Sequence, residues 1–211
     1  MMFRLVALLM GYGLGLIQMA YIVGRLRGID IREHGSGNSG TTNALRVMGS
    51  KAGLVVFLVD MSKAIVAVLL AGWLFSDHGQ TAAIYAGLGT ILGHCFPFYL
   101  RFKGGKGVAC YVGMLLAIQP MMGLALMAIG ASILIYTRYM SLTSLVVTGL
   151  TPLFLQVWGA GREVIGISVV AAALCYVLHR DNIVRLIKGT ERQFGRRSAS
   201  TTETIVEPDE D

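Results

Sequence analysis

The sequence predicts an all-α fold: a polytopic membrane helix bundle of seven transmembrane helices, with the N-terminus outside and the C-terminus cytoplasmic. Three observations predict it. Of 211 residues, 55% are hydrophobic and 14% charged, with a mean hydropathy of +0.65, whereas roughly a quarter of a soluble domain is charged. Apolar runs approaching the ~20 residues that cross a hydrocarbon core of about 30 Å recur between short polar loops. Lys and Arg crowd into alternate loops, as cytoplasmic loops require. Disorder, a disulfide scaffold and a nucleic-acid partner all fit such a chain poorly.

The spans are predicted at about 2–24, 52–75, 81–99, 106–118, 121–137, 141–158 and 164–178. The first is too long, and lacks the Ala-x-Ala site, for a signal peptide; it reads as an anchor stopped by Arg25 and Arg27. The second carries Asp60 and Lys63, three apart on one helical face, as a structural ion pair. The fourth spans only about 18–20 Å at 1.5 Å per residue, so 106–137 is alternatively one long tilted helix. Charge decides between the two. With a turn at Gln119-Pro120, fifteen Lys and Arg fall on one side against Arg4 and Arg162 on the other; without it the two sides nearly balance. Pro120 is also where a tight turn is expected.

Residues 1–197 are expected to form a single integral-membrane domain, and 198–211 an acidic, disordered cytoplasmic tail. Cys95, Cys110 and Cys175 lie in or beside apolar runs without metal-ligand spacing, so they read as packing. The glycines at 11, 13 and 15 and at 87, 89 and 93 permit close helix approach or a groove.

With this topology, three polar segments share the cytoplasmic face. The first is His34-Gly-Ser-Gly-Asn-Ser-Gly-Thr-Thr-Asn-Ala-Leu-Arg46. Its Gly35-x-Gly37-x-x-Gly40 spacing copies a dinucleotide fingerprint, but the flanking βαβ unit is missing. What remains is convergent backbone N–H groups, the neutral donors Ser36, Asn38, Thr41, Thr42 and Asn43, and the planar fork of Arg46 for phosphate oxygens. A polar connector with a helix cap is the plain alternative. The second segment runs from Gly93-His-Cys-Phe-Pro to Lys103-Gly-Gly-Lys-Gly-Val108. A P-loop would need Gly at 100 and Ser or Thr at 107, where the chain has Leu100 and Gly107. Lys106 among glycines at a helix start is nevertheless an anion site, or else a positive-inside loop. In the third, His179 to Glu191, helical spacing puts His179, Asn182 and Leu186 near one stripe, with Arg185 and Lys188 beside it.

The missing groups exclude several chemistries. No Asp stands five positions after any of the four histidines, where Ser39, Ala83, Tyr99 and Val184 are found, so a His-x4-Asp acyltransferase is excluded. Clustered metal-binding aspartates, a zinc set and a Gly-x-Ser-x-Gly elbow are also lacking. No cofactor or metal is expected. Many phosphate ligands with few bases suit a substrate that is already activated.

Ser36-Gly-Asn-Ser-Gly-Thr-Thr-Asn43 with Arg46, Gly93-His-Cys-Phe-Pro with Lys103-Gly-Gly-Lys-Gly-Val-Ala109, and His179-x-x-Asn182-Ile with Arg185-Leu and Gly189-x-Glu191 together resemble the three signature segments of the bacterial acyl-phosphate:glycerol-3-phosphate acyltransferases, the PlsY family. The resemblance covers about residues 1–195. It implies transfer of a fatty acyl group from acyl phosphate to the sn-1 hydroxyl of glycerol 3-phosphate, forming lysophosphatidic acid and phosphate at the cytoplasmic side of the bacterial inner membrane. On this resemblance Ser36, Arg46, Lys106 and His179 are the catalytic candidates. Asn38, Thr42, Asn43, Gly104, Gly105, Asn182, Arg185 and Glu191 are the substrate-binding ones. The partners implied are acyl phosphate, glycerol 3-phosphate and membrane lipid. The competing class, a transporter of a phosphorylated anion, would want ligands on both faces, and the outer loops 76–80 and 159–163 carry none.

Overall fold

The computed structural model describes residues 1–195, so the tail expected at 198–211 lies outside the described residues. Among the described residues ten α-helices form and no strand: α1 Met2–Gly15, α2 Met19–Leu26, α3 Thr41–Met48, α4 Ser50–Leu74, α5 Gly79–Cys95, α6 Val108–Ile118, α7 Pro120–Thr137, α8 Met140–Val157, α9 Arg162–Leu178 and α10 Arg180–Ile187. Large apolar side chains such as Leu58, Leu69, Trp73, Leu124 and Val170 are exposed along the long helices, as a lipid solvent allows.

Long-range contacts sort the helix ends into two groups. At one end Arg4 Nε and Nη2 donate to Glu163 at 2.5 and 2.8 Å, Tyr85 O–H donates to Glu163 at 3.1 Å, and the Phe3 and His78 rings stack at 3.9 Å. At the other end Arg32 donates to the Leu100 carbonyl, Ser141 to Glu191, and the Phe194 N–H to the Arg138 carbonyl. The helices therefore run alternately between the two ends, and α6 and α7 form a pair that goes and returns. The turn sits at Gln119, with Pro120 opening α7 where its missing N–H costs nothing.

Five helical stretches are long and apolar enough to cross a membrane, with a sixth if α9 and α10, bent by 62°, count as one. This is fewer than the seven predicted. The shortfall is α6, whose 11 residues measure about 16 Å at 1.5 Å each, together with α9, which at 17 residues is short by itself.

The first predicted span is broken at Leu16–Gln18, a stretch with no proline to announce it. In lipid the freed carbonyls need internal donors, and they have them. Lys63 Nζ donates to the Gly15 and Ile17 carbonyls at 3.3 and 2.6 Å, Gln18 Nε2 to Gly15 at 3.2 Å, and Tyr99 O–H to Leu16 at 2.6 Å. Pro152 inside α8 poses a similar problem by removing the partner of the Thr148 carbonyl; the Tyr111 hydroxyl donates there at 3.4 Å.

The glycine expectation holds at some positions and fails at others. A β-carbon at Gly11, Gly15, Gly89 or Gly93 would overlap backbone across the α1–α5 crossing, so these four bring the two helices together. Gly13 faces open space, and Gly87 accommodates Met114 from α6.

Candidate active site

The three polar segments, far apart in sequence, line one cavity of about 520 Å3 at the end of the bundle opposite Arg4 and Glu163. Its first wall is the loop before α3. Gly35 turns with φ of 64°, and a β-carbon there would overlap Asn43 Oδ1. Asn43 is buried at 2% exposure, and its side chain is fully engaged. Oδ1 accepts from the Ser36 N–H at 2.8 Å, and Nδ2 donates to the Ile31 and His34 carbonyls at 3.1 and 3.0 Å. The structure thus makes Asn43 the brace of the loop. Ser36, Asn38 and Thr42 remain on the cavity surface, with Arg46 following at the last turn of α3. Below the loop, Arg32 holds Asp30 by paired hydrogen bonds and lowers its carboxyl to a pKa of about 2.

The second wall is the turn before α6. Gly104 and Gly105, expected to bind substrate, stand behind the wall instead: their N–H groups donate to the Cys95 and His94 carbonyls, each at 3.1 Å. A β-carbon at either would overlap the His94 residue, on its carbonyl oxygen or its ring. Their work is to let the turn lie flat on the end of α5. Gly107, at φ of 77°, then swings the chain into α6 and leaves Lys106 in the cavity.

The third wall is the bend between α9 and α10. His179, 4% exposed, donates from Nδ1 to the Cys175 carbonyl at 2.8 Å, so Nε2 is the nitrogen without the proton. Burial, then the nearby Lys106 charge, pushes its pKa down to about 4, and the ring is neutral near pH 7. Asn182 accepts a hydrogen bond from Lys106 and donates to Glu191 Oε1 at 2.6 Å. Glu191 also accepts from Arg185 Nε at 2.7 Å and Ser141 Oγ at 2.8 Å. Burial alone would raise the Glu191 pKa; the donors Asn182, Arg185 and Ser141 outweigh it and the net direction is down.

The charges are set for an anion. Arg46 and Lys106 line the cavity and form no ion pair with a carboxylate among the described residues. Desolvation, then Arg192, lowers the Arg46 pKa; desolvation, then Arg185, lowers that of Lys106. Cations pressed together in this way are relieved by a bound polyanion.

Several cavity residues escaped sequence reasoning. Arg192 is one of them; Thr41, which was among the expected neutral donors, has a buried hydroxyl without a partner among the described residues. Ser141 belongs to a Ser141, Ser144, Thr148, Thr151 stripe spaced three, four and three, which was the available signal. The last three hydroxyls bond carbonyls of their own helix, and only Ser141 reaches Glu191. Asp60 and His94 also line the cavity. With Cys110 they bring three ligand atoms within 4.8 Å of one another. Lys63 Nζ, however, lies 2.7 Å from Asp60 Oδ1 and 2.9 Å from His94 Nδ1, so an ammonium already stands where a cation would.

The likeness to known proteins is extensive. The family model described as glycerol-3-phosphate acyltransferase matches residues 5–189. A glycerol-3-phosphate acyltransferase of Thermoanaerobacter sp. (strain X514) is 38% identical over 93% of this chain and 98% of its own length. Glycerol-3-phosphate acyltransferase 2 of Moorella thermoacetica is 43% identical over 92% and 99%. Two crystal structures of the integral membrane glycerol 3-phosphate acyltransferase PlsY superpose well. Its glycerol 3-phosphate form has a TM-score of 0.85 at 37% identity, covering 91% of this chain and 96% of that one. Its lysophosphatidic acid form has a TM-score of 0.83 at 36% identity, covering 91% and 95%. With its three signature segments gathered on one cavity, this chain belongs to the glycerol-3-phosphate acyltransferase family, the PlsY membrane enzymes.

Proposed function

We propose that this enzyme transfers a fatty acyl group from acyl phosphate to the sn-1 hydroxyl of glycerol 3-phosphate in the bacterial inner membrane. One observation carries the reading: Arg46 and Lys106, which form no ion pair with a carboxylate among the described residues, face neutral donors and a neutral histidine across a single cavity. Two phosphate-bearing substrates repel one another, and such a cavity offsets that repulsion while holding them close. Arg46 and Lys106 clamp phosphate. Ser36, Asn38 and Thr42 supply hydrogen bonds to the phosphates or the developing oxyanion. Asn182 and Arg185, held by Glu191, orient glycerol 3-phosphate.

The sn-1 hydroxyl oxygen forms a bond to the acyl carbonyl carbon, and the tetrahedral intermediate then breaks its bond to the phosphate oxygen. The hydroxyl proton passes to an oxygen of the donor phosphate, which leaves as inorganic phosphate, so atoms and charges balance. A histidine with a pKa of about 4 is a weak base at neutral pH. Its bare Nε2 is still a good hydrogen-bond acceptor for the glycerol hydroxyl, and His179 orients the nucleophile.

We place the cavity on the cytoplasmic side, because the loops at its end hold the excess of Lys and Arg. Seven crossings then follow, with α6 as a short one where the membrane thins locally. The acyl chain lies against Phe57, Met140 and Leu178, the apolar part of the cavity wall. The transporter alternative is not supported: the relatives described above are acyltransferases, and the Arg4–Glu163–Tyr85 cluster ties three helices at the far end. Purified protein given acyl phosphate and labelled glycerol 3-phosphate should form labelled lysophosphatidic acid, and the absence of that product with both substrates saturating would overturn the reading.

A further inference from the structure

A second polar assembly lies against the cavity without belonging to its cation set. Asp60 and Lys63 on α4 and His94 on α5 are 1%, 5% and 3% exposed. Lys63 Nζ reaches Asp60 Oδ1 at 2.7 Å, His94 Nδ1 at 2.9 Å, and the Gly15 and Ile17 carbonyls at the break after α1. A lysine ammonium donates and never accepts, so Nδ1 of His94 takes the hydrogen bond and the ring proton stands on Nε2. Were the ring doubly protonated, with Nδ1–H turned to Asp60 Oδ1 at 3.4 Å, Nε2 would still carry a hydrogen. The ring is therefore clamped at one nitrogen, and the other is held as a donor.

The donor side lies against the second wall of the cavity. A β-carbon at Gly105 would overlap His94 Nε2, so the ring packs directly on the Gly105 backbone. The Gly105 N–H donates back to the His94 carbonyl at 3.1 Å, and Gly104 does the same to Cys95. His94 thus grips the turn by its ring and its main chain. The next residue is Lys106, whose side chain crosses to Asn182.

We infer that His94, clamped between Asp60 and Lys63, is a positioning residue: it fixes the Gly104–Gly107 turn and so sets where the Lys106 ammonium stands in the cavity. This role rests on the acyl-transfer reading above, in which Lys106 clamps phosphate. Because Lys63 also caps the broken first span, the same contacts tie that break to the reaction site.

The test uses the full purified chain with acyl phosphate and glycerol 3-phosphate. His94→Ala is expected to lower kcat/KM on the order of 10- to 100-fold, the cost of displacing a catalytic group by about an ångström. In a Lys106→Ala background the same substitution should cost less than about threefold, since groups acting through one another are not additive. His94→Gln, whose amide reaches the place of Nε2, should recover part of the loss. An equal loss in both backgrounds, or none in either, overturns the role. A second measurement is independent of turnover and follows Lys106 by NMR of reductively methylated lysines, assigned by the signal missing in Lys106→Arg. Its depressed titration should move up toward the ordinary lysine range in His94→Ala, and in Gly105→Ala, which displaces the ring from the other side. An unmoved titration overturns the role even if the variants are inactive. A wild-type enzyme that makes no lysophosphatidic acid counts against the acyl-transfer reading, and the titration then decides the positioning role alone.

Discussion

Ser141 donates a 2.8 Å hydrogen bond to Glu191, 50 positions further along the chain. Glu191 thereby joins α8 to Asn182 and Arg185 of α10 and acts as the anchor of the third wall. Hydrogen bonds to a charged group contribute about 1.5–3 kcal/mol each. Glu191→Gln should therefore raise the KM for glycerol 3-phosphate by at least about tenfold. Ser141→Ala removes one of the donors and should act in the same direction more weakly. Steady-state kinetics with varied glycerol 3-phosphate checks both, and a larger effect of Ser141→Ala would contradict the anchor.

Arg46 is expected to act as a planar, two-pronged ligand. Arg46→Lys keeps the charge and loses the fork, so it should restore little of the activity lost in Arg46→Ala. The loss in kcat/KM for each is expected to be about 100-fold, as for a buried hydrogen-bonded charge. Recovery by lysine to near the wild-type value would show that charge alone suffices.

His179 gives a pH dependence with a definite sign. Its folded pKa of about 4 lies below the ordinary 6.5, so the unfolded chain takes up a proton in a range where the folded chain does not. Its contribution to stability is complete above pH 6.5 and falls as the pH drops toward 4, by about 3 kcal/mol at most. Thermal midpoints of the detergent-solubilised protein should decline over that window, and His179→Gln should flatten the decline. A histidine resonance, lost in that variant, titrating near 6.5 would contradict the depressed value.

The α1–α5 crossing provides a matched pair of substitutions. Gly93→Ala would drive a β-carbon into the Tyr12 carbonyl, whereas Gly13→Ala meets open space. The first should cost about 1–3 kcal/mol by overpacking, and the second should be neutral or slightly stabilising. Thermal unfolding in detergent separates them; equal effects would mean that the two helices do not meet at these glycines.

Orientation can be read by labelling single cysteines in a background without Cys95, Cys110 and Cys175. Position 161 should react with an impermeant reagent from outside intact cells, and position 103 only after the membrane is opened. Reactivity of position 103 from outside, with position 161 protected, would place the cavity on the opposite face of the membrane.

Much of the fold was legible because hydropathy and charge act locally. A run of apolar residues prefers lipid whatever its neighbours do, and Pro120, beside the polar Gln119, favours a helix start. The same local rules missed the break at Leu16–Gln18, which contains no breaker and whose carbonyls are satisfied by Lys63 and Tyr99 from elsewhere in the fold and by Gln18 within the break. The candidate site was legible as segments: Ser36, Arg46, Lys106, His179 and Asn182 all reach the cavity. Roles within a segment were not. Asn43, Gly104 and Gly105 share motifs with residues open to the cavity, yet the Asn43 side-chain amide and the N–H groups of the two glycines are consumed in holding the wall.

By itself, then, the sequence determined a helical membrane chain, most of its apolar helices, the turn at Gln119-Pro120, and the polar segments that meet at the cavity, since each depends on a side chain's own preference for lipid or water. Only the tertiary structure decided which polar groups remain open to a ligand. An imidazole such as His94 offers the same atoms in any fold, and packing alone assigns one nitrogen to Lys63 and lays the other against Gly105.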